Sequence, residues 1–350
     1  MNENAHRATT APVDAAESLS RRIAVVIPCY RVRKHILEVI AAVPSEVSTI
    51  YVVDDCCPDQ SGDFVLANCQ DARVVVVRNE VNLGVGGAVM EGYRRSCVDG
   101  MDIAVKIDGD GQMDPSLLPI FVRPILEGAA DYTKGNRFWD LRQIGQMPLT
   151  RRLGNLGLSF MSKASTGYWD IFDPTNGYTA IHTAVVRRLP FESISSRYFF
   201  ETDLLFRLNT MRAVVVDVPM DARYGDEVSG LRVSAILGEF LTKHARNLAK
   251  RVIYNYFLRD LSIASLELLA AIALLGFSLA FGAFHWYQSV VSGVPAAVGT
   301  IMVATVGAVS GLQFLLAFLG YDIASVPKRP LAPLLARVDA RPVGCARQVS

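Results

Sequence analysis

Charge of one sign is what this chain conspicuously lacks: 35 Lys plus Arg are matched by 34 Asp plus Glu over 350 residues, a formal net charge of +1. No global basic field marks nucleic acid as a partner, so any ionic ligand has to be recognised locally. Cysteine is also scarce. The six residues Cys29, Cys56, Cys57, Cys69, Cys97 and Cys345 have neither zinc-site spacing nor the density of a disulfide scaffold, which suits a reducing setting for the soluble part. The first 20 residues lack the apolar core of an export signal; polar and rich in Ala, Thr and Ser, they read as a disordered arm. No internal repeat is visible.

Apolar residues are abundant, at 51% of the chain, and their pattern changes along its length. Short β-branched runs at Ile23 to Ile27, Ile50 to Val53, Val74 to Val77 and Ile103 to Ile107 predict buried parallel strands. Arg33 to Ala42, Gly62 to Asn68 and Gly86 to Cys97 predict intervening helices. This alternation implies an α/β, doubly wound, Rossmann-like domain with its ligand crevice at the strand carboxyl ends. Further helices are expected at Pro115 to Glu127, Arg151 to Ser165 and Phe200 to Asn209, and strands at Tyr132 to Gly135, Gly177 to Ile181 and Val214 to Val218. The globular unit is bounded at 21–232.

Residues 233–260 interleave Lys243, His244, Arg246, Lys250, Arg251 and Arg259 with Leu237, Phe240, Leu241, Leu248, Ile253 and Phe257. That composition predicts a basic amphipathic helix in a headgroup layer, with a solvated helix packed on the globular domain as the alternative. Within 261–321, Leu261 to Tyr287 and Val294 to Leu319 are each long enough to cross a bilayer core. The loop around His285 to Pro295 has no Lys or Arg, whereas Arg246, Lys250, Arg251, Arg259, Lys328, Arg329, Arg337 and Arg341 flank the pair. The asymmetry puts both termini and the globular domain on the cytoplasmic side of a multi-pass protein of the cytoplasmic membrane. A cytoplasmic tail is expected over 322–350, and two thin spans invite homo-oligomerisation.

Lys106-Ile107-Asp108-Gly109-Asp110-Gly111-Gln112 ends a predicted strand. Asp108, Asp110 and Gln112 can present hard oxygen ligands to one divalent cation that also holds a diphosphate, although an Asp/Gly-rich turn produces the same letters. Val53-Asp54-Asp55 is a second acidic pair suited to a base NH and ribose hydroxyls, with a helix-capping turn before Ser61 as its alternative. Asn82-x-Gly84-x-Gly86-Gly87-Ala88 opens a helix where glycine permits close approach.

With Ile27-Pro28-Cys29-Tyr30, these motifs resemble the family 2 glycosyltransferases in order and spacing. Gly135-Asn136-Arg137-Phe138, Asp173-Pro174-Thr175-Asn176-Gly177-Tyr178, Phe199-Phe200-Glu201-Thr202-Asp203 and Arg223-Tyr224-Gly225-Asp226-Glu227 are similar to the branch containing dolichol-phosphate mannose synthase and bacterial polyprenyl-phosphate glycosyltransferases. The resemblance covers about Arg22 to Arg232.

It implies a GT-A fold, Mg2+ or Mn2+, a nucleotide sugar donor (UDP-hexose ahead of GDP-mannose) and a polyprenyl phosphate acceptor such as undecaprenyl phosphate. Pro28, Tyr30, Asp54 and Asp55 would hold the nucleoside, and Asp108, Gly109 and Asp110 the donor diphosphate with the metal on Asp108, Asp110 and Gln112. Asp110, Arg137 and Arg223 would carry the transfer. Arg137, Arg151, Arg152, Glu201 and Asp203 are candidates for the acceptor phosphate, against surface ion pairs for the arginines and helix-start charges for the two acids. Departures from the family pattern are Val32 in place of Glu, Cys56-Cys57 in place of Gly-Ser, and no lysine soon after Arg223. The vicinal cysteines read as small buried residues. A processive polysaccharide synthase and a catalytically dead nucleotide-sugar-binding scaffold are the rival readings.

Overall fold

The computed structural model describes residues 21–139, 149–221 and 233–339. In chain order the globular unit contains β1 (Ile23–Cys29), α1 (Ile36–Ala41), β2 (Thr49–Asp54), α2 (Ser61–Asn68), β3 (Val74–Arg78), α3 (Val85–Val98), β4 (Ile103–Lys106), α4 (Leu118–Leu126) and β5 (Tyr132–Asn136). It continues through α5 (Leu149–Thr166), β6 (Thr179–His182), α6 (Thr183–Val186), α7 (Phe200–Met211) and β7 (Val215–Pro219). All seven strands form one sheet in the order β3-β2-β1-β4-β6-β5-β7.

Strands β1 to β4 pair in parallel, as their apolar runs predict, whereas β6 runs antiparallel to both β4 and β5. The sheet is therefore mixed, not uniformly doubly wound. A strand's direction depends on how the chain enters it, and the four residues Thr179–His182 carry no pattern that reveals this. The two-residue period of the central strands separates the core into two layers. Val26, Tyr51 and Ala104 face α3 and α7, while Val25, Ile27, Ile50, Val52 and Val105 face α1, α2 and α4. In α3, Gly92 lets the helix settle on β1, because a Cβ there would lie 2.9 Å from Val26 Cγ2.

One cross-strand row departs from this apolar rule. Register aligns Lys106 of β4 with Thr179 of β6, Thr179 with Lys134 of β5, and Lys134 with Asp217 of β7. Both lysines are buried, so a charged row runs through the sheet beside the predicted crevice. Buried ammonium groups need partners. Those partners build the site.

C-terminal to the globular unit lie α8 (Val233–Ile253), a π-helical turn at Tyr254–Arg259, α9 (Ile263–Ser292), α10 (Val298–Ala324) and α11 (Ala332–Asp339). The 30-residue α9 and 27-residue α10 are long and apolar enough to be candidate membrane spans. They pack closely: a Cβ on Gly311 would come within 2.8 Å of Leu275 Cγ, so small residues set the approach.

Two expectations for this region require correction. Arg251 does not face a headgroup layer: it is 2% exposed and donates to both carboxylate oxygens of Asp322 in the last turn of α10. The second is the boundary expected at 322, which falls inside α10: the helix continues to Ala324 and the chain then returns to the globular unit. There the Leu331 and Ala332 amides donate to the buried Asp131 carboxylate at 2.8 and 2.7 Å. Burying Ala332 with α11 against α6 outweighs leaving this segment solvated.

Candidate active site

A cleft of about 330 Å3 opens at the carboxyl ends of β1 and β4. Pro28, Tyr30, Asp55, Asp108, Gly109 and Asp110 line it together, so six of the residues singled out in the sequence share one cavity. Tyr30 is 43% exposed, with the Arg31 guanidinium carbon 5.4 Å from its ring centroid.

Asp54 and Asp55 do different work from one another. Asp54 accepts from the Cys57 and Gly62 amides at 2.8 and 2.7 Å, thereby capping the turn into α2. This matches the alternative role read for the pair, and Asp54 is not among the cleft-lining residues. Asp55 accepts from the Leu83 and Gly84 amides and from Asn79 Nδ2, at 2.8, 2.7 and 2.8 Å. Its carboxylate thus ties β2 to the Gly-rich turn. Gly84 has φ +84°, and a Cβ there would lie 2.8 Å from the Ser196 carbonyl oxygen, so protein backbone makes the close approach that this glycine allows. The Gly87 amide donates to that same carbonyl at 3.0 Å.

Lys106 organises the floor. Its Nζ lies 3.0 Å from Asp108 Oδ1 and 3.3 Å from Glu201 Oε1. Burial alone would lower its pKa, but the two carboxylates more than compensate and hold the ammonium above its usual range. Gly177 closes over this group, where a Cβ would reach within 2.8 Å of Asp108 Oδ2. Asp110 Oδ1 accepts from the Gln112 amide at 2.9 Å, and Gly111 takes φ +79° in the tight turn between them.

Along the charged row, Lys134 donates to the Asn176 carbonyl, and burial pulls its pKa down to about 8. Desolvation pushes the neighbouring Asp217 up to about 6. Asp217 Oδ2 receives the Phe172 amide at 2.8 Å and Asn136 Nδ2 at 3.2 Å. These groups brace the segment carrying Asp173 and Asn176.

The remaining candidates are distributed more widely. Arg137 engages the fully buried Asp173 through Nε at 2.7 Å and Nη2 at 3.1 Å, a fork-to-carboxylate pair. Asp203 receives the Ser195 amide at 2.8 Å and Asn247 Nδ2 at 3.1 Å, so it joins α7 to α8. Arg151 and Arg152 fall in the first turn of α5, and their side chains lie outside the described residues, as does Arg223. Cys57 is buried with its thiol beside Ser61 Oγ, whereas Cys56, expected inside, is exposed at φ +52° because the turn after Asp54 directs it outward.

Sequence reasoning missed Arg197 and Tyr198, which form the opposite wall of the cleft and are both exposed. They belong to no motif; only the docking of their loop on Gly84 brings them there. Glu201 reaches the site through Lys106.

For a divalent ion, the fit depends on donor chemistry. Among the described residues no cluster of three or more His, Cys, Asp or Glu is present; Asp108 and Asp110 line one cleft with hard oxygen donors, while Gln112, the third ligand expected, is not among its lining residues. Two carboxylates completed by water and phosphate oxygens suit Mg2+.

A glycosyl transferase family 2 model matches residues 24–190. An undecaprenyl-phosphate mannosyltransferase of Micrococcus luteus is 30% identical, with 51% of this chain and 72% of that protein covered. The chain belongs to glycosyltransferase family 2. Another relative of this family 2 enzyme is the UDP-N-acetylglucosamine–dolichyl-phosphate N-acetylglucosaminyltransferase of Methanococcus voltae, 26% identical over 62% of this chain and 91% of that protein. Glucosyl-3-phosphoglycerate synthase of Mycobacterium tuberculosis shares the fold at a TM-score of 0.50 and 21% identity, covering 67% of this chain and 81% of that structure. The fold is the Rossmann-like GT-A fold of family 2, with its Asp108/Asp110 turn at the end of β4.

Proposed function

We propose that this glycosyltransferase moves a hexose from a nucleoside diphosphate donor to a polyprenyl phosphate at a membrane surface, with inversion at the anomeric carbon. The observation that carries this reading is the placement of Asp108 and Asp110 in one cleft, in a globular unit tied through Trp169 and Asp322 to two helices long enough to span a bilayer. The Micrococcus and Methanococcus relatives are both named for transfer to a polyprenyl-type phosphate, which favours that acceptor class. Their names differ in the sugar, so UDP-hexose and GDP-mannose are both retained as donors.

The mechanism follows from the acceptor. A phosphate monoester is ionised near neutral pH and needs orientation more than a strong base. Pro28 and Tyr30 bind the nucleoside, while Asp55 holds the Gly84 turn that shapes its side of the cleft. Asp108 and Asp110 would hold Mg2+ or Mn2+, which when bound supplies positive charge against the leaving diphosphate. Lys106 fixes the Asp108 carboxylate and keeps Glu201 beside it. Arg197 gives the opposite wall a cation for phosphate oxygens. Arg137 and Arg223 complete the phosphate set, and Arg137 is held in place by Asp173.

The membrane is the bacterial cytoplasmic membrane, with the catalytic unit inside. Exposed Arg246 and Lys250 on α8 meet its anionic surface, where each basic side chain contributes about 1 kcal/mol. The test is to incubate membranes containing the full chain with a panel of nucleotide sugars and undecaprenyl phosphate, then identify products by mass spectrometry. A glycosyl phosphoryl polyprenol from one donor is the expected result. Transfer only to a growing polysaccharide would refute the acceptor assignment.

A further inference from the structure

The catalytic cleft lies at the amino end of α7. At its other end is a second cavity of about 190 Å3, enclosed by the catalytic unit, the π-helical turn and the end of α10. The 12 residues of α7 put roughly 18 Å between the two ends. Arg212, Asn255, Arg259, Asp260, Tyr321 and Ser325 line this cavity.

Its two arginines are placed unusually. Arg212 follows the last residue of α7 at φ 65°, a left-handed position where glycine is the ordinary choice. Its Nη1 donates to the Ser325 carbonyl at 2.5 Å, and Arg259 Nη1 donates to the Thr210 carbonyl at 3.0 Å. Each guanidinium carries five N–H donors, so one backbone bond apiece uses a minor part of either set. Among the described residues no carboxylate oxygen lies within 4.0 Å of either guanidinium. Burial and the charge of Arg212 lower the pKa of Arg259, and Tyr254 and Asp260 only partly oppose them. Arg212 is half-buried and Arg259 exposed, so beside Asp260 the two guanidinium groups leave N–H donors turned to the cavity that can hold an anion.

Position narrows the anion's chemistry. Asp260 is three residues before α9 begins, and Tyr321 is three before α10 ends, so the cavity sits where both candidate spans meet the catalytic unit. At that depth the abundant anion is a phospholipid headgroup. Asn255 Oδ1 is buried without a hydrogen-bond partner, and with Asp260 it supplies acceptors for a headgroup hydroxyl.

We propose that Arg212 and Arg259 form a binding site for the phosphate of a glycerophospholipid headgroup, separate from the catalytic cleft. Occupancy locks the π-helical turn, and with it the spans, against the carboxyl end of α7. This inference rests on α9 and α10 being inserted in a membrane. Flotation of the full chain with neutral phosphatidylcholine vesicles tests that premise by itself.

The site is tested by thermal unfolding of the detergent-solubilised full chain. Dihexanoyl phosphatidylglycerol, inorganic phosphate and phosphate-free dihexanoylglycerol are titrated in separate arms. The wild type should gain several degrees in Tm with phosphatidylglycerol and nothing with dihexanoylglycerol. Arg259→Gln and Arg212→Gln should each lose most of the gain, while Arg259→Lys keeps part of it. The readout is the ligand-induced shift, so a lower starting Tm in Arg212→Gln does not obscure it. An equal shift with inorganic phosphate would identify free phosphate as a ligand of the same two arginines. No shift in the wild type, or an undiminished shift in both Gln variants, overturns the site.

Discussion

Arg251 and Asp322 join two distant parts of the chain through paired contacts of 2.6 and 2.9 Å, with side chains only 3% and 2% exposed. Arg251 belongs to α8 and Asp322 to the last turn of α10. Trp169 Nε1 and Tyr256 Oη also donate to Asp322, at 2.8 and 2.6 Å, so its carboxylate is saturated by three elements. Removing one partner leaves a buried charge uncompensated, at a cost of about 3–5 kcal/mol. Arg251→Ala or Asp322→Ala should therefore lower the unfolding temperature in detergent and expose the α10–α11 connection to protease. Arg251→Met combined with Asp322→Leu should recover much of the loss. Unchanged proteolysis in both single variants would show that this pair does not fasten the spans.

This pair also shows where sequence reading stops. The strands β1 to β4 and the spans announce themselves through the length of their continuous apolar runs, and the acidic turn through its position after a strand. Arg251 looks like any other cation of a basic amphipathic helix, because its partner lies 71 residues away. Asp131 is equally silent until the Leu331 and Ala332 amides return to it. The same limit applies within the site. Asp108 and Asp110 are legible as a motif, but Arg197 enters through loop docking, and the division of labour between Asp54 and Asp55 depends on which amides each carboxylate meets.

Gly177 is predicted to be intolerant of even a methyl group. Gly177→Ala places a Cβ against Lys106 and Asp108 and should displace the carboxylate without unfolding the sheet. A displacement on the order of 1 Å can cost about 10²-fold in rate, so transfer should fall by that order while the far-UV spectrum and Tm change little. Near-wild-type turnover would mean that the position of Asp108 is not critical.

His244 should make the attachment of α8 sensitive to acid. The side chain is buried, its Nδ1 lies 2.8 Å from Ser165 Oγ, and desolvation lowers its pKa from 6.5 to about 4. As pH falls from about 6.5 towards 4, the unfolded chain binds a proton that the folded chain resists, so stability declines across that window. His244→Gln removes this group's contribution. Melting temperatures measured from pH 7 to pH 4.5 should fall more steeply for wild type than for the variant, and parallel curves would refute the assignment.

Membrane orientation can be checked from both sides. Ser289 is near the end of α9, and Cys56 is exposed on the catalytic unit. In intact cells an impermeant maleimide should label Ser289→Cys and should reach Cys56 only after permeabilisation. The opposite pattern would put the catalytic unit outside.

The central claim is that the Asp108/Asp110 turn drives transfer from a nucleotide sugar with a divalent ion, and Asp110→Asn tests it most directly. Asp110 lies in the cleft with one carboxylate oxygen held by the Gln112 amide, so the amide variant preserves shape while removing charge. Glycolipid formation from undecaprenyl phosphate would be measured alongside calorimetric nucleotide binding, with Mg2+ or Mn2+ and after complete chelation. The account predicts that chelation abolishes wild-type transfer and that Asp110→Asn loses both transfer and metal-dependent binding while remaining folded. Full-rate transfer by chelated wild type, or normal metal-dependent binding and transfer by Asp110→Asn, would contradict it.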